Sequence, residues 1–289
     1  MSEQERREVV EEAKKRIEEE EARLREALSK IKHKVMVISG KGGVGKSFVT
    51  ANLAMAFALK GYAIGVLDAD IHGPSIPKML GLRGEAPTTS PAGIFPVIGP
   101  LNIKVMSMDL LLPSDELPVI WRGPLKMGAL RQFIADVVWG NLDILFVDLP
   151  PGTGDEPLSI AQMLQPDFAV IVTIPSEVSQ LVVKKVVTFS RTLNVPILGV
   201  IENMSYFVCP KCGSRYDLFG SGGGKKLAED MGVRFLGAIP IDPSINEACD
   251  KGVPYVVKYP ESEVSKLFFE IIDRFEEEIK KRAGGSQRT

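Results

Sequence analysis

Residues 40–47 read Gly40-Lys41-Gly42-Gly43-Val44-Gly45-Lys46-Ser47 and fit the pattern G-x-x-x-x-G-K-[ST] completely. The apolar run Val35–Ser39 predicts a strand before this stretch, and the apolar spacing over Ser47–Lys60 predicts a helix after it. Glycines allow successive backbone N–H groups to curl around phosphate oxygens, and a helix start adds a partial positive charge. The stretch therefore predicts a phosphate-binding loop, in which Lys46 reaches the β- and γ-phosphates and Ser47 ligates Mg²⁺.

Short apolar runs alternate with segments of helical periodicity along the rest of the chain. The further predicted strands are Ala63–Leu67, Ile103–Met106, Ile144–Val147, Phe168–Thr173, Ile197–Ile201 and Phe235–Ile239. The further predicted helices are Leu125–Val138, Val178–Leu193 and Val264–Ile279. Continuous apolar strands separated by helices indicate a mostly parallel sheet covered on both faces. The predicted fold class is therefore α/β, a P-loop NTPase.

Composition divides the chain into three segments. Residues 1–32 are rich in both acidic and basic side chains with apolar residues at helical spacing, which predicts a charged amphipathic helix. Residues 33–282 form the predicted ATPase domain, with a Pro/Gly-rich insertion at 83–101. Residues 283–289 have the composition of a disordered tail.

The charge balance and the cysteine usage exclude several classes of protein. The 289 residues carry a net charge of −2, so no broad positive field favours binding to nucleic acid or an anionic membrane. The N-terminus is charged throughout, and the longest uncharged stretch, Ala86–Ile103, contains four prolines, so no export or membrane-spanning segment is predicted. Three cysteines cannot form a secreted disulfide framework, which favours a reduced, cytoplasmic chain.

Acidic residues follow two of the predicted strands. Asp68 and Asp70 come after Ala63–Leu67, and Asp148 comes after Ile144–Val147. Ligands of open α/β sheets bind at the carboxyl ends of the strands, where these side chains are expected. One carboxylate is expected to support Mg²⁺ and another to orient an attacking water.

Lys41 makes the glycine loop unusual, because K-G-G-V-G-K-S resembles the deviant phosphate loop of the MinD/ParA class of dimeric ATPases. Further segments narrow the resemblance to the Mrp/ApbC group of iron–sulfur cluster carrier ATPases over roughly residues 34–275. In chain order they are Asp68-Ala69-Asp70-Ile71-His72-Gly73-Pro74-Ser75, Trp121-Arg122-Gly123-Pro124, Asp148-Leu149-Pro150-Pro151-Gly152-Thr153-Gly154-Asp155, Ile201-Glu202-Asn203-Met204-Ser205, Cys209-Pro210-Lys211-Cys212-Gly213 and Ile239-Pro240-Ile241-Asp242. The chain departs from some relatives because no cysteine precedes Cys209.

This resemblance implies roles for individual residues. It implies that Lys41 acts across a homodimer interface on the nucleotide of the opposite subunit, as an arginine finger does. Lys46 and Asp70 are the other implied catalytic residues, and Asp70 is expected to position water. Asp148 is implied on the Mg²⁺ side and Asn203 at the adenine. The implied nucleotide-binding residues are Gly40, Lys41, Gly42, Gly43, Val44, Gly45, Lys46, Ser47, Phe48, Asp148 and Asn203. ATP is favoured over GTP because the sequence contains no N-K-x-D motif.

Cys209 and Cys212 are spaced so that both thiols can contact one metal centre. A thioredoxin-like redox pair would open a helix, but the glycines at 213 and 220–224 indicate a loop. A zinc knuckle needs four ligands, and the two histidines and Cys249 lie in other segments. Two thiols from each of two chains would suit a [4Fe–4S] cluster or zinc, and the family resemblance favours the cluster. Cys249 is expected to be a buried structural thiol.

The expected function is a homodimeric carrier that binds a [4Fe–4S] cluster between its subunits and transfers it to apo iron–sulfur proteins, using ATP and Mg²⁺. One alternative is a MinD/ParA-like positioning ATPase that acts on membrane or DNA. The amphipathic segment Val264–Ile279 is expected to pack against the domain, however, because its polar face is not basic. The other alternative is a zinc-stapled dimeric ATPase.

Overall fold

The computed structural model describes residues 3–71, 73–111, 128, 130–131 and 134–285. The strands are β1 (Ile31–Ser39), β2 (Ile64–Asp68), β3 (Thr88–Ser90), β4 (Gly93–Phe95), β5 (Val97–Ile98), β6 (Lys104–Ser107), β7 (Leu142–Asp148), β8 (Phe168–Thr173), β9 (Ile197–Glu202), β10 (Phe207–Val208), β11 (Arg215–Tyr216) and β12 (Phe235–Ala238). The helices are α1 (Glu3–Ser29), α2 (Lys46–Leu59), α3 (Ile76–Met79), α4 (Asp155–Leu164), α5 (Glu177–Thr192), α6 (Gly223–Asp230), α7 (Pro243–Asp250), α8 (Tyr255–Lys258) and α9 (Glu263–Gly285).

Eight strands form one sheet in the order β12-β9-β8-β1-β7-β2-β6-β5. Every neighbouring pair is parallel except β5 with β6. The predicted mostly parallel sheet is therefore confirmed. Since β1, β2 and β7 lie side by side, the residues that follow or end these strands meet at one edge of the sheet.

Helices cover both faces of the sheet, as predicted. Successive side chains of β1 alternate between two cores, with Val35 and Val37 in one and Met36 and Ile38 in the other. The first core also receives α2, α8 and α9, and the second receives α4, α5 and α6. The prediction that the last helix packs on the domain is also confirmed, because the apolar face of α9 is buried in the first core.

Most sequence-based boundaries lie within three residues of those in the structure, and three differences are larger. β1 begins at Ile31, before the predicted Val35, because three polar residues at its start, Lys32, His33 and Lys34, interrupt the apolar pattern. The segment 83–101, predicted as an insertion, contains the antiparallel β3–β4 hairpin and the edge strand β5. Helix α9 continues to Gly285, so the first part of the predicted tail 283–289 is helical.

Some predicted features fall on residues outside the described ranges. These are His72, the segment Trp121-Arg122-Gly123-Pro124, much of the helix predicted over Leu125–Val138, and the last four residues of the tail. Within that helix prediction, residues 128, 130–131 and 134–136 are helical. Among the described helices, none has a stretch apolar and long enough to cross a bilayer.

Candidate functional site

The glycine loop joins β1 to α2 and has the conformation that its sequence predicts. Gly43 and Gly45 have φ values of 77° and 78°, a left-handed region in which glycine is favoured. Gly45 also has no room for a side chain, because a Cβ there would lie 2.1 Å from Nδ2 of Asn203. The structure therefore brings the loop and Asn203 into direct contact.

Lys46 is buried at the start of α2 and faces two carboxylates. Its Nζ lies 2.7 Å from Oδ2 of Asp148 and 3.9 Å from Oδ2 of Asp70. Asp148 is fully buried at the end of β7, whereas 15% of the Asp70 side chain is exposed. A buried carboxylate is tolerated only when it is paired and hydrogen-bonded, which is how Asp148 is held here.

Two hydroxyl groups of α2 complete the surroundings of Asp148. Ser47 Oγ donates to Oδ2 at 2.6 Å and Thr50 Oγ1 donates to Oδ1 at 2.7 Å. Ser47 is one of the predicted residues, whereas Thr50 is a site residue that sequence reasoning missed. Its position one helical turn after Lys46 is a signal that could have identified it, because residues i and i+4 share a helix face.

Asp68 ends β2 opposite Asp148 in the parallel pair of β2 with β7. Its carboxylate accepts bonds from the backbone N–H of Ser75 at 3.1 Å and of Ile76 at 3.3 Å. Burial, reinforced by the neighbouring charge of Asp148, raises the pKa of Asp68 to about 8. Asp70 and Asp148, which face Lys46, are the carboxylates suited to a cationic ligand.

Phe48, which is expected in the nucleotide site, has its side chain in the core. Its ring is buried in the first core, with its centroid 5.8 Å from that of Phe268 and 6.4 Å from that of Tyr255. The side chain anchors α2 to α8 and α9. Any contact of this residue with a nucleotide would therefore come from its backbone.

Lys41 lies within the glycine loop, and Asn203 contacts the loop from the end of β9. Lys41 is partly exposed, and its carbonyl oxygen accepts a bond from Ser39 Oγ at 3.0 Å. Asn203 is buried after β9, and its Nδ2 donates to the carbonyl oxygen of Val44 at 2.9 Å. The amide of Asn203 thus supports the loop backbone directly.

The cysteine pair lies in the turn between β10 and β11, so the loop prediction is confirmed. The backbone N–H of Cys209 donates to the carbonyl oxygen of Ser214 at 2.9 Å, and that of Gly213 donates to the carbonyl oxygen of Cys209 at 2.8 Å. Gly213 has a φ of 73°, which the turn requires. Cys209 is half-buried and Cys212 is exposed.

The surroundings of Cys212 favour the thiolate form of its side chain. A hydrogen bond with the Ser214 hydroxyl, 3.3 Å away, lowers the pKa of Cys212, and contacts with the Ser214 backbone and Cys209 add to this. Cys249 behaves oppositely, because it is half-buried on the first core and burial raises its pKa. The described residues include no group of three or more potential metal ligands, so within them the cysteine pair supplies only half of a four-ligand site.

Apolar side chains are exposed on the cysteine hairpin and at the start of α5. Those of the hairpin and the residues after it are Val208, Tyr216, Leu218 and Phe219, and those at the start of α5 are Val178 and Leu181. Single exposed apolar residues are common, but four within residues 208–219 are typical of an interaction surface. Helix α5 also contacts the glycine loop, because a Cβ on Gly40 would lie 2.9 Å from Cγ1 of Val182.

Comparison with known proteins identifies a single family over most of the chain. The family model of the ParA type, described as NUBPL iron-transfer P-loop NTPase, matches residues 30–276. A curated iron–sulfur cluster carrier protein of Saccharolobus solfataricus is 59% identical over 249 residues, which are 86% of this chain and 84% of that protein.

Two solved structures show the same fold. A nucleotide-binding protein of Archaeoglobus fulgidus in complex with ADP has a TM-score of 0.75 and 42% identity, with 86% of this chain and 96% of that chain covered. The cell division ATPase MinD of Pyrococcus furiosus has a TM-score of 0.63 and 25% identity, with 85% and 99% covered.

Proposed function

This chain belongs to the NUBPL iron-transfer family of P-loop NTPases, and we propose that it carries [4Fe–4S] clusters to apo-proteins with the help of ATP. The observation that carries the proposal is the position of Cys209 and Cys212. Both lie on the turn of an exposed hairpin, and the pKa of Cys212 is lowered. Thiolates are the ligands that iron–sulfur clusters require, and an exposed turn allows the cluster to leave.

The cluster is held between two copies of the chain in this proposal. One copy supplies two thiolates, whereas a [4Fe–4S] cluster takes four. A two-fold axis beside the hairpin would bring four thiolates together without any further ligand. The exposed apolar side chains around the turn, including Leu218 and Phe219, support a homodimer that buries this surface.

Besides the cluster, the proposed carrier binds ATP together with Mg²⁺. Lys46 and the loop backbone hold the phosphates, while Ser47 ligates Mg²⁺ and Asp148 supports the ion from the end of β7. Asp70, whose Oδ2 lies 3.9 Å from Lys46 Nζ, orients the attacking water. Lys41 of each subunit contacts the nucleotide of the other, and Asn203 contributes to the adenine pocket. Hydrolysis changes the dimer geometry and with it the exposure of the cluster.

The apo-protein recipients accept the cluster by ligand exchange, in which their thiolates replace those of Cys209 and Cys212. Such exchange needs reduced thiols on both partners, and the three cysteines of this chain are free. We therefore place the protein in the cytoplasm, where thiols stay reduced.

Anaerobic reconstitution with iron and sulfide tests the cluster assignment. We expect about two iron and two sulfide per chain in the wild type, and a dimer by mass. Cys209→Ala and Cys212→Ala should lose both the iron and the visible absorption. Cys249→Ala is the matched control and should bind as much iron as the wild type. Equal iron in all four proteins would refute the assignment, and zinc in protein purified without oxygen would favour a zinc-stapled dimer.

A positioning ATPase remains the alternative in a different functional class. Membrane attachment through a terminal amphipathic helix needs an unpartnered apolar face, but Phe268, Ile272 and Phe275 of α9 are fully buried in the domain. The net charge of −2 also weighs against non-specific DNA binding. Co-sedimentation with anionic vesicles or DNA only when ATP is present would revive this alternative.

A further inference from the structure

Glu202 is a buried carboxylate that the proposed chemistry does not use. It ends β9 with 1% of its surface exposed. Its Oε1 accepts a hydrogen bond from Ser205 Oγ at 2.5 Å, and its Oε2 accepts one from the backbone N–H of Gly224. A buried carboxylate is costly unless its oxygens are paired, so these two contacts define where Glu202 can lie.

The two contacts of Glu202 enclose the segment that carries the cysteines. Ser205 lies on the outgoing side of the segment 203–224, and Gly224 lies on the returning side, in the first turn of α6. The Cys209–Cys212 turn lies between them. The side chain of Glu202 therefore connects the two ends of the segment 203–224, which carries the proposed cluster ligands.

The returning end is packed without spare room. A Cβ on Gly223 would lie 2.2 Å from the carbonyl oxygen of Pro175, and a Cβ on Gly224 would lie 2.9 Å from Cβ of Glu202. The start of α6 therefore rests directly on the ends of β8 and β9. The carboxylate of Glu202 also interacts favourably with the positive end of this helix.

The outgoing end of the segment 203–224 contacts the glycine loop. Asn203, the next residue after Glu202, donates from Nδ2 to the carbonyl oxygen of Val44 and leaves no space for a side chain on Gly45. The backbone N–H of Asn203 donates to the carbonyl oxygen of Thr173 at 2.8 Å. Six positions separate Asn203 from Cys209, so a short length of chain joins the phosphate loop to the first cysteine.

We propose that Glu202 is a positioning residue that couples the phosphate loop to the cysteine hairpin. A shift of the loop backbone at Val44 and Gly45 on nucleotide binding moves Asn203, and Glu202 transmits the shift to both ends of the hairpin segment. This proposal rests on the proposed function, since it assigns a route between the two sites of that function. It differs from a purely structural role, because a cap of α6 alone would not link thiol reactivity to the nucleotide.

Alkylation of the hairpin thiols measures this coupling without any cluster. In a Cys249→Ser background only Cys209 and Cys212 react with iodoacetamide, and their rates are compared with and without a non-hydrolysable ATP analogue and Mg²⁺. We expect the nucleotide to change the rates at least about threefold in otherwise unaltered protein. Glu202→Ala should bring this ratio close to one while the affinity for a fluorescent ATP analogue stays the same.

Conservative and matched variants separate coupling from stability. Glu202→Gln should keep the ratio, because its amide oxygen can accept from Gly224 and its amide nitrogen can donate to Ser205. Asp143→Ala should also keep it. Asp143 accepts a bond from the backbone N–H of Ala63 at 2.8 Å, at the opposite end of the strands. If Glu202→Ala does not fold, Gly224→Ala replaces it, because the added Cβ displaces the carboxylate.

The proposal is overturned if the Glu202→Ala protein keeps the nucleotide-dependent ratio, if the unaltered protein shows none, or if Asp143→Ala abolishes it equally. Iron analysis of the same variants is read separately. Loss of iron binding only in the cysteine variants, together with an unchanged ratio in Glu202→Ala, would retain the carrier function and reject the coupling. A nucleotide-dependent ratio that Glu202→Ala abolishes, in a protein that binds no iron, would retain the coupling and reject the carrier function.

Discussion

The phosphate loop and the cysteine hairpin represent opposite ways of building a site. Around the loop, Lys46, Thr50 and Asp148 are buried and linked by short hydrogen bonds. In the hairpin, two short strands present one half-buried and one exposed thiol. The buried contacts around the loop all come from one chain, whereas the metal site proposed for the hairpin takes only two of its four ligands from each chain. Rigid burial suits repeated binding of one substrate, and exposure suits a cargo that must be handed over.

Lys46→Ala should produce the largest difference between the two sites. The charge that neutralises the phosphates is lost, so we expect ATP turnover to fall by at least about a hundredfold. Iron loading of the hairpin should stay the same, because the cysteines lie in a separate element. Measured ATP hydrolysis and reconstituted iron content check both halves, and a parallel loss of iron would show that the sites are not separable.

Two glycines with nearly equal φ values allow a matched test of packing. Gly45→Ala introduces a Cβ 2.1 Å from Asn203 Nδ2, whereas Gly213→Ala introduces one with no other atom within 4 Å. Both variants strain the backbone by about 1–2 kcal/mol, and Gly45→Ala should lose several kcal/mol in total. Urea unfolding followed by circular dichroism measures the free energies. Equal losses would contradict the different packing of the two regions.

Asp68 should give the loop site a distinct pH dependence of stability. Its folded pKa of about 8 is above the unfolded value, so the folded state binds more protons between about pH 4 and 8. The free energy of unfolding should therefore fall as pH rises through this range and level off above it. Asp68→Asn, which mimics the protonated acid, should flatten the profile in nucleotide-free protein kept in EDTA. An unchanged slope would mean that Asp68 is ionised in the folded protein.

Ser214→Ala should have the smallest effect and report on the hairpin alone. The hydroxyl of Ser214 lowers the pKa of Cys212, so its removal should move the midpoint of Cys212 alkylation to higher pH. Cys249, whose pKa is raised by burial, should titrate above Cys212 in both proteins. Mass spectrometry of alkylated peptides across a pH series distinguishes the two thiols. A midpoint for Cys212 at or above that of Cys249 would be inconsistent with the turn geometry.

Local sequence patterns predicted much of the fold and of the nucleotide loop. The glycine loop has a characteristic spacing of glycine, lysine and serine residues. Buried parallel strands such as β8 and β9 are nearly continuous apolar runs. The site of Asp148 was predictable because strands β1, β2 and β7 must end at one edge. The turn position of the cysteines followed from the glycines after them.

Other features depend on contacts between distant parts of the chain. Thr50 joins the site only because Asp148, 98 positions away, folds against it. In the sequence, Glu202 is an ordinary acidic residue at the end of a predicted strand. Its hydrogen bond with the backbone N–H of Gly224, 22 positions later, is visible only in the structure. β3, β4 and β5 lie within the segment 83–101 and are not predicted, because strands of two or three residues are too short to show an alternating apolar pattern. The family resemblance implies that Phe48 lies in the nucleotide site, whereas only the structure shows that its ring packs in the core.

The meeting of both ends of segment 203–224 at Glu202 also makes the cysteine hairpin an exchangeable cassette. A chain segment whose two ends are already in contact can be shortened, lengthened or replaced at a small cost in loop-closure entropy. The strand pairing of the sheet need not change. Evolution can therefore vary the chemistry of the hairpin while the nucleotide-binding loop and the sheet stay intact. For the engineer, the same junction is a graft point at which a different metal-binding turn can be joined to an unchanged ATPase.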